Sequence, residues 1–481
     1  MADPAFGSAR RLARMVRRGD LGCRELLDHF IDRIERLDER TNAVVVRDFE
    51  RARETARSHD RRRKKARGPL YGVPMTVKES FAVAGLPSTW GFPEQHDNIA
   101  VEDAVAVKRL RAAGAVIFGK TNVPKALGDW QSFNAVYGTT NNPWDLARTP
   151  GGSSGGAAAA LAAGLTGLEC GSDIGGSIRQ PAHACGVFGH KPSWGLLPPY
   201  GHSLFGAAAM TDISCIGPLA RSADDLALAL DVLAGPEEAE TALALRLPPP
   251  PTKTLRGLRV AVWAEQPGHE TDHETTAALH DLAGMLKREG AKVSVTARPE
   301  FDPAEAFRVY LRLLCAVLGS RATPEELQGW AERAGRLAAE DLSASAVIAR
   351  SMTPSHGDWM AANEQRHRIR RAWGAFFRDW DVLLCPVINT PALPHMQEGE
   401  TWERKITVNG REIPYDEQLF WPGIIGAFHL PATTAPLGVS ESRLPMGMQI
   451  VGPLYADRGT IHVARLLERA WQGFQPPGGW E

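Results

Sequence analysis

The segment Gly151-Gly152-Ser153-Ser154-Gly155-Gly156 runs directly into Ala157-Ala158-Ala159-Ala160-Leu161-Ala162-Ala163, and Gly164 ends it. Alanine is the strongest helix former and lets neighbouring elements pack closely. The pattern therefore predicts a buried helix that begins just after Ser153 and Ser154. The first N–H groups of such a helix have no partner within it and point back at the glycine turn. A second glycine turn follows, Gly171-Ser172-Asp173-Ile174-Gly175-Gly176-Ser177-Ile178-Arg179-Gln180-Pro181. Each turn offers a serine, Ser153 in the first and Ser177 in the second, on backbone that can approach a substrate closely. Upstream, Gly72-Val73-Pro74-Met75-Thr76-Val77-Lys78-Glu79-Ser80 brings a short apolar run to a lysine. A hydroxyl nucleophile needs a base, and lysine serves only when neutral. Burial in a site poor in opposite charge lowers its pKa toward that state. Two serine-bearing turns and one lysine point to nucleophilic acyl transfer.

Outward from these turns, residues 74–77 read as a short buried strand, 104–113 as a helix and 115–118 as a strand. Such a crossover belongs to a sheet with parallel or mixed strands. Leu26, Leu27, Phe30, Ile31, Ile34 and Leu37 recur at helical spacing, so residues 24–37 are expected to form an amphipathic packing helix, with Asp20 as its cap. A further helix is expected over 49–63. Residues 224–233 read as a helix closed by Gly235-Pro236. Leu247-Pro248-Pro249-Pro250-Pro251 reads as a stiff linker and the best sub-domain boundary. Beyond it, strands are expected near 258–263, 291–296, 382–385 and 446–452, with helices over 275–288, 365–380 and 460–471. Residues 301–352 read as mostly helical.

On these motifs the chain is identified as a member of the amidase signature family of serine hydrolases. The match is strongest from residue 70 to 233 and continues more weakly from 381 onward. The resemblance implies an α/β/α sandwich, a mixed central sheet flanked by helices. It implies a Ser-cisSer-Lys triad made of Ser177 as nucleophile, Ser153 as the bridging serine on a cis peptide bond, and Lys78 as the base. It also implies an oxyanion hole from the backbone N–H groups of Ile174, Gly175, Gly176 and Ser177. Asp173 and Arg179 read as scaffold for the nucleophile loop, and Ser154 as structural. In domain terms, residues 1–68 are expected as a helical segment packing on the core and 69–247 as the signature core with the catalytic residues. Residues 248–380 are expected as a variable region covering the cleft, and 381–481 as strands and a helix completing the same domain.

Other chemistries fit less well. The first turn lacks the Lys-Ser/Thr ending of a phosphate loop. His183 and His190 lack a metal-binding pattern around them, and the GxSxG of a Ser-His-Asp hydrolase is absent around Ser177. No cofactor and no metal are expected. Lys and Arg (55) balance Asp and Glu (56), which gives no electrostatic case for nucleic acid. The basic run over residues 61–67 reads as a solvated helix end. Cys23, Cys170, Cys185, Cys215, Cys315 and Cys385 are scattered without CxxC spacing, which fits a reducing compartment. There is no apolar leader or spanning run, so a cytoplasmic protein without membrane partner is expected. The expected partner is a small-molecule amide, with a homodimer left open.

The reaction expected is hydrolysis of a small aryl or hydrophobic carboxylic amide, with aryl esters or carbamates as side substrates. Leu127, Trp130, Phe133, Trp194, Trp421 and Phe428 are the candidates for an apolar pocket, with Tyr200, Phe205 and Phe420 beside them. Two alternatives stay open at this point. One is the glutamine-hydrolysing component of a tRNA-dependent amidotransferase. The apolar stretch over 418–431, where the family's amidotransferases carry an acidic grip for glutamine, weighs against it. The other is a non-catalytic binding homologue.

Overall fold

A computed structural model describes residues 3–61, 68–203, 206–237, 240 and 242–481. The basic run beyond Arg61 and the aromatic candidate Phe205 lie outside the described residues.

Eight strands form the main sheet, in the order Lys292–Ser294, Arg259–Val262, Val382–Pro386, Pro445–Val451, Ala432–Val439, Phe188–Lys191, Cys215–Ala220 and Glu169–Asp173. The first three run parallel and the rest pair antiparallel, so the sheet is mixed. Alternate side chains of a strand point to opposite faces, and the two cores follow that rule. Val382 and Leu384 pack with helices Ala223–Leu233, His273–Arg288 and Asp457–Ala470. Leu383 and Cys385, one position out of phase, pack with helices Pro303–Gly319, His356–Asp379 and Phe420–Gly426. Helices therefore cover both faces, the layered sandwich that the motifs imply. Two of the eight strands, Arg259–Val262 and Lys292–Ser294, come from the stretch 248–380 just beyond the proline run, yet they join this same sheet.

The lysine strand, Pro74–Lys78, is in a separate three-stranded sheet with Val116–Thr121 and Val44–Arg47. It pairs parallel with Val116–Thr121 across the expected helical crossover, whose helix is Val105–Ala112. The amphipathic helix forms as Cys23–Leu37, but Asp20 does not cap it. Asp60, at the end of helix Phe49–Asp60, accepts from the N–H groups of Cys23 and Arg24 at 2.7 and 3.1 Å. No helix among the described residues is long and apolar enough to cross a membrane. All six cysteines are free thiols and buried.

Candidate active site

The alanine-rich segment forms helix Gly155–Ala162, with every residue buried. The turn before it requires glycine at position 152. A Cβ on Gly152 would lie 2.5 Å from the carbonyl oxygen of Asp129, which no side chain can tolerate. The Gly152–Ser153 peptide is cis. Gln180 accepts from the Gly152 N–H at 2.8 Å, and Ser132 Oγ accepts from the Gly155 N–H at 3.0 Å. The Ser154 N–H donates to the carbonyl of Ser177 at 3.1 Å, which ties the two glycine turns together. Ser154 Oγ donates to the Ser172 carbonyl, a structural contact.

Three strand ends and loops thus converge. Lys78 ends its strand fully buried, and its Nζ donates to Ser153 Oγ at 2.6 Å and to Ser172 Oγ at 3.0 Å. Burial disfavours the ammonium and outweighs the attraction of Asp173, Cys170 and Glu169, so the pKa of Lys78 falls to about 7. Its change of protonation is thereby brought down to the neutral range. Glu169, at the start of the neighbouring strand, is pushed up to about 8 by burial and offers Lys78 little negative charge.

The second turn follows the strand Glu169–Asp173. Asp173 accepts from the N–H groups of Gly176 (2.9 Å), Ile178 (3.1 Å) and Arg179 (3.3 Å). It also receives Arg179 Nε at 2.9 Å and Nη2 at 2.8 Å. Burial by itself raises the Asp173 carboxyl, but the Arg179 charge and these donors win and hold it near 2. Arg179 reaches on to the carbonyl of Pro422 and to Gln449 Oε1, so the ion pair bolts the turn to the main sheet. One of the four expected oxyanion donors is already engaged: the Gly176 N–H belongs to Asp173. Among the described residues, no hydrogen bond engages the N–H groups of Ile174, Gly175 or Ser177. Gly176 has φ 101°, a conformation that favours glycine.

Ser153, Ser172, Ile174 and Ser177 line one narrow cleft of about 50 Å³. Among the described residues, no hydrogen bond joins the hydroxyls of Ser153 and Ser177, a link that active sites often close only with substrate bound.

The pocket candidates divide. Leu127 and Tyr200 line the cleft. Trp130 does not; its Nε1 donates to the Gly175 carbonyl at 3.0 Å and its ring rests on Tyr415. Phe133 sits in a two-strand ladder opposite Thr139. Trp194 is stacked on His429, 4.6 Å between centroids. Trp421 is fully buried, edge-on to Trp263, with Nε1 bonded to Thr271 Oγ1. Phe428 is buried and borders a different groove, beside Phe377 and Leu454. Phe420 is buried against His269. Phe420, Trp421 and Phe428 are buried core, the usual place of large apolar side chains, while Trp130, Phe133 and Trp194 are half-buried outside this cleft. The cleft instead takes Trp90, His202 and Arg321, none of which the sequence motifs single out. Ser172 also escapes the motif reading, although it stands inside the second glycine turn.

The sequence profile of the Amidase family matches residues 25–461. An acylamidase of Rhodococcus erythropolis is 31% identical over 98% of this chain and 97% of its own length. The A subunit of the glutamyl-tRNA(Gln) amidotransferase of Halorhodospira halophila is 32% identical, over 96% and 97%. Among solved structures, a bacterial aryl acylamidase of the amidase signature enzymes superposes with TM-score 0.82 at 26% identity, covering 98% of this chain and 97% of its own. The likeness runs along nearly the whole length, through the buried lysine, both glycine turns and the layered sheet that carries them, and the chain belongs to the amidase signature family of amide-bond hydrolases.

Proposed function

We propose that this chain hydrolyses a small aryl or hydrophobic carboxylic amide through an acyl-enzyme on Ser177. The observation that carries the reading is the buried Lys78 amine, shifted to about 7 and 2.6 Å from Ser153 Oγ, at the cleft that Ser177 lines. With Lys78 neutral, the Ser153 hydroxyl gives its proton to Nζ as it accepts the proton of Ser177. Ser177 Oγ then adds to the carbonyl carbon. The oxyanion meets the N–H groups of Ile174, Gly175 and Ser177, donors of a kind worth roughly 3–4 kcal/mol each at the tetrahedral stage. On collapse the proton returns from Lys78 through Ser153 to the leaving nitrogen, which could not depart as an anion. Water then repeats the addition and frees the acid.

The reacting carbonyl enters the cleft, and Leu127, Tyr200 and Leu318 give apolar surface for the rest of the substrate. Acylamidase relatives support the aryl or acyl class. A second reading, glutamine hydrolysis within an amidotransferase, draws on the 32% identity to a component of such an enzyme. The test is a panel of anilides, aryl esters, carbamates and glutamine, run with a sulfonyl fluoride label. The expected outcome is preference for aryl amides over glutamine, label on Ser177, and loss of both in Ser177→Ala. Label on another residue, or turnover surviving in Ser177→Ala, would remove the nucleophile. A higher kcat/KM on glutamine than on any anilide would put the second reading first.

A further inference from the structure

The cleft that Ser177 lines also carries a cation with no charged acceptor. Among the described residues that line the cleft, Arg321 is the one cationic side chain and none is acidic. Arg321 follows helix Pro303–Gly319. Its guanidinium lies 5.9 Å from the centre of the Trp90 ring, and its Nη2 donates to Thr211 Oγ1 at 3.1 Å. No carboxylate among the described residues pairs with it. Asp212, next to Thr211, is taken by Arg366 at 2.6 Å, and Glu102 by Lys108 at 3.0 Å and the Tyr200 hydroxyl.

Trp90 stands on the same wall. Trp90 is buried at 2% exposure, and its Nε1–H has no hydrogen-bond partner among the described residues. Trp90 is not loosely placed. Glu79, the residue after Lys78, accepts from its backbone N–H at 3.0 Å and from that of Thr89 at 2.6 Å. The base and this wall are thus built from one segment. His202 lies between them, its Nε2 2.9 Å from Ser80 Oγ and its ring 5.1 Å from that of Trp90. Burial, with the charges of Lys78 and Arg321, keeps His202 neutral.

We infer that Arg321 and Trp90 form a specificity site for a carboxylate on the non-reacting end of the substrate. The inference rests on the amidase reading above and narrows its substrate class to aryl amides with an anionic substituent. Arg321 binds the carboxylate through its remaining guanidinium N–H groups, and the Trp90 ring and Leu318 cover the ring of the substrate. Arginine suits this task because its planar fork matches a carboxylate and its charge persists at every working pH.

The experiment compares aryl amides bearing a para-carboxylate with their para-nitro counterparts, which have similar shape and no charge. One pair carries the substituent on the acyl ring (4-carboxybenzamide, 4-nitrobenzamide) and one on the amine ring (the 4-carboxy and 4-nitro acetanilides). The readout is the carboxylate-to-nitro ratio of kcat/KM in wild type divided by that ratio in Arg321→Leu, which cancels the electronic difference. The expected quotient is about 10- to 100-fold for one of the two pairs, from the usual worth of a charge-assisted pair. Arg321→Lys should retain part of it, and Trp90→Phe should lower it less. The pair that responds tells whether the carboxylate sits on the acyl or the amine side. A quotient within twofold of one for both pairs overturns the inference while leaving the amidase reading intact. Should neither pair turn over, calorimetric binding of the four amides decides. Tenfold weaker binding of a carboxylated amide to Arg321→Leu supports the site, and equal binding sinks it. The missing turnover then counts against the amidase reading alone.

Discussion

Lys78 and Asp173 end two neighbouring strands, both fully buried, and they meet opposite fates. Lys78 has hydroxyls for partners and no committed counter-ion, so desolvation wins and its pKa drops to about 7. Asp173 has Arg179 at 2.8 Å and three backbone donors, so pairing wins over the same desolvation and its pKa drops to about 2. In the proposed reaction one site needs a group that changes protonation near neutral pH. The other needs a charge that never does, because it holds the turn that carries Ser177. The difference lies in the partner, not in the depth of burial.

Removing the proposed base should have the largest effect. Lys78→Met keeps the volume and loses the proton acceptor, with an expected fall in kcat/KM of about 10²–10⁴-fold on amides. In the wild type, kcat/KM should decline below about pH 7, because the active form is the deprotonated lysine and acid removes it. The variant should lack this acid limb. A pH–rate profile on a non-ionising substrate decides, and an unchanged limb in Lys78→Met would assign the base elsewhere.

Asp173→Asn attacks the paired side. It leaves Arg179 buried without its counter-charge, and the expected loss of stability is about 3–5 kcal/mol, read by urea denaturation at neutral pH. The sign with pH follows from the lowered carboxyl. Its stabilisation is full above the unfolded value of roughly 4 and fades as pH falls toward 2. The variant should therefore lose that part of the acid-unfolding curve. The Asp173 charge is also the largest attraction acting on the Lys78 ammonium, so the acid limb of the surviving activity should move to lower pH.

Glu169→Gln is the mildest of the three. Glu169 is pushed up to about 8 and is mostly protonated where the enzyme gains activity, so its attraction for Lys78 is weak there. The acid limb is expected to move to lower pH by less than about one unit. A larger movement than in Asp173→Asn would reverse the ranking of the two carboxyls.

The chemistry is legible in the chain because it is local. Paired glycines beside each serine mark turns of close backbone approach, an alanine run marks a closely packed helix, and a lysine closing an apolar run marks a candidate for burial. Each motif is a run of a few adjacent residues, and its resemblance to the amidase signature lets Lys78, Ser153 and Ser177 be named before any fold is known; the fold brings Lys78 against Ser153 and puts both serines on one cleft. The cap of the first long helix is not local: Asp60 supplies it from another helix, although Asp20 is nearer in sequence. Ser172 lies within the motif, yet only the close approach of two separate sheets places it on Lys78 Nζ. The cleft wall is the least legible part. Hydrophobicity says that Trp421 and Phe428 leave water, but it cannot say whether they face packed core or an open cleft. That choice is made by which side of each element meets neighbours distant in sequence, and it buries these rings while bringing Trp90, His202 and Arg321 together beside Ser177.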